Sequence, residues 1–134
     1  MRITGQCHCG QLAYEAEIDP ATVTICHCND CQILSGSPYR VVVPTKQLKI
    51  TKGQPKIYIK TTAESGRPRA QAFCPDCGTP FYASAPEPGP DGVYNLRAGS
   101  IKERGQLPPR KAIWCDAAIS WAEDISALPK NAKQ

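Results

Sequence analysis

Near the start of the chain Leu12, Tyr14, Ala16 and Ile18 alternate with Ala13, Glu15 and Glu17. Successive side chains of an extended segment point to opposite faces, so this period of two predicts a half-buried strand ending at Asp19-Pro20. Val23 and Ile25 then lead into a cysteine-rich stretch. There Asn29 and Gln32 have the spacing of a capping box for a short helical turn, which Ser35-Gly-Ser-Pro38 breaks. Tyr39 to Val43 is a continuous β-favouring run, and Leu48 with Ile50, then Ile57 with Ile59, alternate with polar positions across the turn Gly53-Gln-Pro55. This reads as a meander. Further strands are expected at Arg69 to Cys74, Pro80 to Ala85, Val93 to Ala98 and Ala112 to Cys115, with a non-regular proline-rich loop over 85–92. The pattern is that of an all-β fold of short strands with few helical turns.

Composition narrows this picture. The 134 residues suit one domain, 1–134, with about 125–134 as a flexible tail; thirteen prolines and ten glycines imply many turns. Neither an export signal nor an apolar run long enough to span a membrane is visible, so a cytoplasmic protein without membrane partners is expected. The formal charge of +4 is mild, and thiolate-bound metal would lower it. No dense Lys/Arg stripe is present, so a zinc ribbon that binds nucleic acid, with its salt-sensitive affinity, is the least favoured reading.

Eight cysteines in a chain without a secretion signal point to metal, not disulfides. Seven fall in three clusters: Cys7-His8-Cys9-Gly10, Cys26-His27-Cys28-Asn29-Asp30-Cys31 and Cys74-Pro75-Asp76-Cys77-Gly78. In C-x-C the two sulfurs share one face of an extended segment, and in C-x-x-C a tight turn brings two thiolates onto one metal. Cys7, Cys9, Cys74 and Cys77 can close one four-thiolate structural site. Cys26, Cys28 and Cys31 would then hold a second zinc with three protein ligands and an exchangeable fourth position, as expected of catalytic zinc. The same spacings also permit a single site built from Cys28, Cys31, Cys74 and Cys77, as in a zinc ribbon.

The motifs Gly5-Gln-Cys7-His-Cys9-Gly10, Cys26-His-Cys28-Asn-Asp-Cys31, Ser35-Gly-Ser-Pro38 and Cys74-Pro-Asp-Cys77-Gly-Thr79, with Ile113-Trp114, Trp121 and Leu128-Pro129, run in order along almost the whole chain. Together they resemble the glutathione-dependent formaldehyde-activating (GFA, or centromere-protein-V domain) family, whose all-β architecture is the Mss4-like β-tent fold. The resemblance implies two zinc ions per chain. Cys7, Cys9, Cys74 and Cys77 would be structural ligands, and Cys26, Cys28 and Cys31 catalytic ones. It also implies a carbon-sulfur lyase that condenses glutathione with formaldehyde to S-hydroxymethylglutathione, with a small-molecule thiol and aldehyde as partners. The chain reads Ala112-Ile-Trp114 where the family often has His-Ile-Trp, and Gly99-Ser-Ile-Lys102 where an acidic residue often follows Gly-Thr-Leu.

The other candidate residues have plainer readings. His8 and His27 are expected to turn away from the sulfurs, as supporting or surface groups. Cys115 and the aromatics Tyr39, Trp114 and Trp121 are expected in the core. Arg40, Lys60, Arg67, Arg69 and Arg97 read as a solvated face, with Arg40 or Arg69 the candidates to meet carboxylates of a glutathione-like ligand. The alternative to an enzyme is a non-catalytic, zinc-stabilised Mss4-like binding module.

Overall fold

The computed structural model describes all 134 residues. It contains ten short strands, the single α-helix α1 and several 3-10 turns, a small all-β fold. Strands β1 (Arg2–Gln6), β2 (Ala13–Glu17) and β5 (Gln47–Lys52) form an antiparallel three-stranded sheet in the order β1-β2-β5. A seven-stranded sheet is built from β3 (Thr24–Cys26), β4 (Arg40–Thr45), β6 (Lys56–Lys60), β7 (Arg69–Phe73), β8 (Pro80–Ser84), β9 (Tyr94–Arg97) and β10 (Lys111–Ile113). Its order is β10-β3-β4-β9-β8-β7-β6, antiparallel except where β10 joins β3. Beyond Glu123 the chain has no regular element and is exposed.

Both sheets feed one core. Ile3, Tyr14 and Ala16 from the small sheet meet Val43, Ala72, Phe81 and Leu96 from the large one. Tyr14 and Phe81 pack edge to face at 5.0 Å, a geometry that adds to plain area burial. The alternation in β2 is therefore real, with Tyr14 and Ala16 inward and Glu15 and Glu17 towards solvent. Gly5 stands opposite Tyr14 in the register, and a Cβ there would overlap the tyrosine ring. That close approach explains a glycine within β1.

The meander across Gly53 does not form. β5 pairs with β2 in one sheet and β6 with β7 in the other, so the turn at 53–55 passes the chain between sheets. Gly53 takes φ +71° there, and a Cβ at this position would overlap the Gln11 carbonyl and the Leu12 side chain. As the outer strand of its sheet, β6 leaves Ile57 and Ile59 45 % and 43 % exposed. Strand β1 escaped the pattern because Arg-Ile-Thr-Gly-Gln has one large apolar residue.

The large sheet has two unlike faces. Val43, Ala72 and Leu96 point into the core. With the period of two, their neighbours point the other way: Arg40 and Val42 on β4, Gln71 and Arg69 on β7, Asn95 and Arg97 on β9. Register places Cys26 opposite Arg40, Val42 opposite Arg97, and Lys60 opposite Arg69. One face of the sheet thus gathers a cysteine and several cations.

Candidate metal centres and the cavity between them and the sheet

Cys7, Cys9, Cys74 and Cys77 bring their Sγ atoms within 4.8 Å of one another. Two tight loops make this possible. The Gly10 amide donates to the Cys7 carbonyl at 3.1 Å, the Gly78 amide to the Cys74 carbonyl at 2.9 Å, and both glycines are left-handed, with φ of 77° and 75°. Such loops leave sulfurs inward without a Cβ clash at the turn. The Sγ separations Cys7–Cys9 and Cys9–Cys74 are 3.5 and 3.7 Å. Four sulfurs at ~2.3 Å from one zinc lie about 3.8 Å apart, so the donor set and its spacing fit that metal. The Thr79 hydroxyl, 3.1 Å from the Cys77 sulfur, together with backbone amides, holds the Cys77 thiol down to about 5.

Cys26, Cys28 and Cys31 form a separate group with Sγ atoms within 4.8 Å, and no fourth Cys, His, Asp or Glu ligand atom joins them. Cys28 and Cys31 therefore lie apart from Cys74 and Cys77, and the single four-thiolate arrangement is not the one adopted. Cys26 ends β3, and Cys28 and Cys31 flank the first turn of α1 (Asn29–Ser35). The cap of that helix is Cys28, not Asn29: its sulfur accepts from the Cys31 amide at 3.3 Å. Gln32 does not reach back as in a capping box. Its Nε2 donates to the carbonyls of His27 (2.8 Å) and Ala117 (3.0 Å), tying α1 to the late chain. The proton-bearing thiols are coupled in space. Cys26 is lowered chiefly by the Cys31 thiol beside it, and Cys31 is raised chiefly by Cys26.

A cavity of about 250 Å³ is lined by these three cysteines and by the outward face of the large sheet, including Arg40, Gln71 and Arg97. Adjoining cavities of about 470 and 390 Å³ share Arg40, Gln71 and Arg97, or Cys28, Lys60 and Arg69, with it. Arg40 and Arg97 are only 5 % and 6 % exposed, a correction to their reading as a solvated face. Burial first, and then the Arg40 charge, push Arg97 down to about 9; it remains a cation at neutral pH. Lys60 pairs with Asp30 at 2.7 Å, and that ammonium, ahead of the Thr62 hydroxyl, holds the Asp30 carboxyl below its usual range. Arg67 is exposed and lines none of these cavities.

The aromatic and cysteine expectations also need correction. Trp114 is 44 % exposed and walls the three-cysteine cavity, and Trp121 and Cys115 are exposed, so none is core. Tyr39 is half-buried and takes the edge of the His27 ring at 5.5 Å. His27 is buried, with Nδ1 unpaired, whereas His8 is exposed. Trp114 is the one non-glycine residue with positive φ, at 57°. A bulky side chain in that region is strained, and strain of this kind clusters at sites where a side chain must be aimed. Gln71 escaped the sequence reading; it is the lone amide of Arg-Ala-Gln-Ala-Phe and lies on the face turned away from the core.

The model of one protein family, the glutathione-dependent formaldehyde-activating enzyme, matches residues 2–117. The chain belongs to this family. That membership associates the chain with glutathione-dependent formaldehyde activation. Among solved structures, a Rhodobacter sphaeroides protein from structural genomics is similar at a TM-score of 0.59 and 18 % identity, covering 81 % of this chain and 98 % of its own. At that identity the likeness speaks to the fold. No curated protein matches the chain. No helix is long and apolar enough to cross a membrane.

Proposed function

We propose that the chain is a zinc-dependent, carbon-sulfur lyase-like enzyme that adds a thiol co-substrate, glutathione, to a small aldehyde such as formaldehyde. The observation that carries this reading is the three-cysteine cluster opening on a cavity with no fourth side-chain ligand. Cys7, Cys9, Cys74 and Cys77 would hold the structural zinc, and Cys26, Cys28 and Cys31 the reactive one. Zinc bound there would lower the pKa of a co-substrate thiol and raise its thiolate fraction at neutral pH. In the addition a carbon-sulfur bond forms as the carbonyl π bond breaks, and the thiol proton ends on the carbonyl oxygen.

The protein residues supply the setting. The Cys28 cap and the Gln32 clamp fix α1, and with it Cys28 and Cys31, against β3 and the Ala117 segment. The Arg40 and Arg97 guanidiniums face a cavity where negative charge gathers on sulfur and then on oxygen; fixed cations there stabilise it without reorganising. Trp114 covers one side and limits water. No protein nucleophile is needed.

The test is the exchange rate between 13C-formaldehyde hydrate and S-hydroxymethylglutathione, measured by exchange NMR. Metal-loaded protein is expected to accelerate it over the spontaneous reaction, and Cys28→Ser to abolish the acceleration by at least about 100-fold while staying folded. No acceleration at millimolar glutathione with two zincs per chain would sink the enzyme and leave a zinc-stabilised binding module.

A further inference from the structure

Arg40 and Arg97 are both buried beside the three cysteines, and the acceptor they share is one neutral oxygen. Arg97 Nη2 donates to Gln71 Oε1 at 2.9 Å, and Arg40 Nη1 reaches the same atom at 3.4 Å. Arg40 Nε is buried without any partner. Two guanidiniums offer ten N–H donors in all, far more than one amide oxygen can accept. Gln71 itself is only 9 % exposed. Near Arg97, Arg40 and Arg69 oppose its cationic form, and thiolates at Cys31 and Cys26 would favour it. Desolvated cations without carboxylate partners are costly unless a ligand supplies the anion.

Charge arithmetic says how much anion is missing. Arg40, Arg97 and Arg69 line the 250 Å³ cavity and contribute three positive charges, while Lys60 is neutralised by Asp30. Three thiolates around a divalent metal leave one negative charge, and a co-substrate thiolate adds one more. Before any carboxylate of the co-substrate is counted, one positive charge remains. Formaldehyde has nothing to offer it.

We propose that the electrophile of this enzyme is a small oxo-acid, an aldehyde or ketone bearing its own carboxylate, held by Arg40 and Arg97 with Arg69 at the cavity mouth. The inference rests on the thiol-addition reading for its chemistry, but the binding it requires does not. A carboxylate matches the guanidinium fork in charge and geometry. In a two-carbon oxo-acid the carboxylate is one bond from the reacting carbon, as a cavity shared by the arginines and the cysteines demands. The space is also small, below the ~300–1,000 Å³ of pockets that enclose drug-sized ligands. The glycine and glutamate carboxylates of glutathione lie several bonds from its sulfur; because Arg40 and Arg97 also line the cavity of about 470 Å³ and Arg69 the one of about 390 Å³, a thiol that has no carboxylate is needed to separate the two carboxylate sources.

The probe is glyoxylate, titrated into zinc-loaded protein without thiol and followed by calorimetry and Trp114 fluorescence, with formaldehyde and acetate alongside. Glyoxylate and acetate are expected to bind and chloride not to compete. The decisive variant is Gln71→Glu, which is nearly isosteric and hands both guanidiniums an internal carboxylate. It should stay folded, raise the melting temperature, retain both zincs, and weaken glyoxylate binding by at least about tenfold. Arg69→Gln, at a half-buried position, should weaken it less. Glyoxylate binding that survives Gln71→Glu would mean the anion sits on the metal, and overturns the proposal. So would a Gln71→Glu loss confined to glutathione affinity, judged against cysteamine, which has no carboxylate. Failure of every thiol addition, with glyoxylate binding intact and sensitive to Gln71→Glu, would instead strike the enzyme reading and leave this site standing.

Discussion

The two cysteine clusters offer the same donor chemistry in unlike surroundings. In the first, four sulfurs close on one another through two glycine-terminated loops, and the residues around them are backbone amides and Thr79. Cys7 and Cys74 belong to the main core. In the second, three sulfurs face a cavity whose far wall carries buried cations and a strained tryptophan. The first cluster's neighbours have satisfied hydrogen bonds, whereas the second's include Arg40 Nε and His27 Nδ1 without partners. Polar groups left unpaired in a buried place signal a ligand or a stored cost. The contrast teaches that ligand count alone would not tell a structural site from a reactive one; what surrounds the sulfurs would.

The comparison breaks most sharply at the cysteines themselves. Cys74→Ser should unfold the protein at room temperature, because structural zinc contributes on the order of 10 kcal/mol, comparable with the whole stability of a domain this size. Cys28→Ser should leave circular dichroism and the first metal intact and lose the second, since serine is itself a good helix cap for the Cys31 amide. Zinc content and thermal melts on both variants check this; equal unfolding of the two would erase the distinction. A smaller effect is expected of Gln32→Ala. Losing both hydrogen bonds from Nε2 should cost about 1–3 kcal/mol and weaken zinc at the three-cysteine site while leaving the four-cysteine site unchanged. Competition with a chromophoric chelator would read the two sites separately.

The smallest perturbation lies in the core between the sheets. The Tyr14 hydroxyl is 2.9 Å from Ser100 Oγ, so Tyr14→Phe should cost about 1 kcal/mol at neutral pH. Burial pushes the Tyr14 phenol up to about 12, against the pull of that hydrogen bond. A raised folded value means the contribution is complete below pH 10 and is lost as pH rises from about 10 to 12. Wild-type stability should therefore fall more steeply over that window than that of Tyr14→Phe, in denaturant titrations run at each pH. Parallel slopes would show that the phenol is not desolvated as the core requires. Both metal sites should be indifferent to the change.

Legibility in the sequence followed the range of the interaction. Period-two alternation marked β2 and the Tyr39 to Val43 run marked most of β4, because a strand with one buried face writes that face locally. Partner choice was not written there. Gly53 looks like a hairpin turn, yet β5 goes to β2 because Leu48 and Ile50 complete the core over the small sheet. The cysteine spacings paired the sulfurs within each cluster, since C-x-C and C-x-x-C are short-range constraints, but left open whether Cys74 and Cys77 join Cys7 and Cys9 or Cys28 and Cys31, which only the fold decides. The burial of Arg40 and Arg97 was invisible for the opposite reason. Each sits in an ordinary β run, and only the register across β4, β9 and β7 puts them together with Gln71 behind the cysteines. Trp114 was misread as core because aromatics in small domains are mostly internal, whereas its left-handed backbone turns it to the cavity.

The pairing of β10 with β3 gives the protein a timetable. The ribosome delivers Cys7 and Cys9 first and Cys77 just past mid-chain, so all four of these sulfurs are made while the 57 residues 78–134 are still to be added. Cys26, Cys28 and Cys31 emerge before that, but part of their wall is written last. Arg97, the Ile113 carbonyl that takes the His27 amide at 3.1 Å, Trp114 and the Ala117 carbonyl that receives Gln32 all arrive afterwards. Vectorial synthesis therefore completes the four-cysteine set before the wall of the three-cysteine cavity, and Cys26, Cys28 and Cys31 pass through that interval with part of their cover still to come.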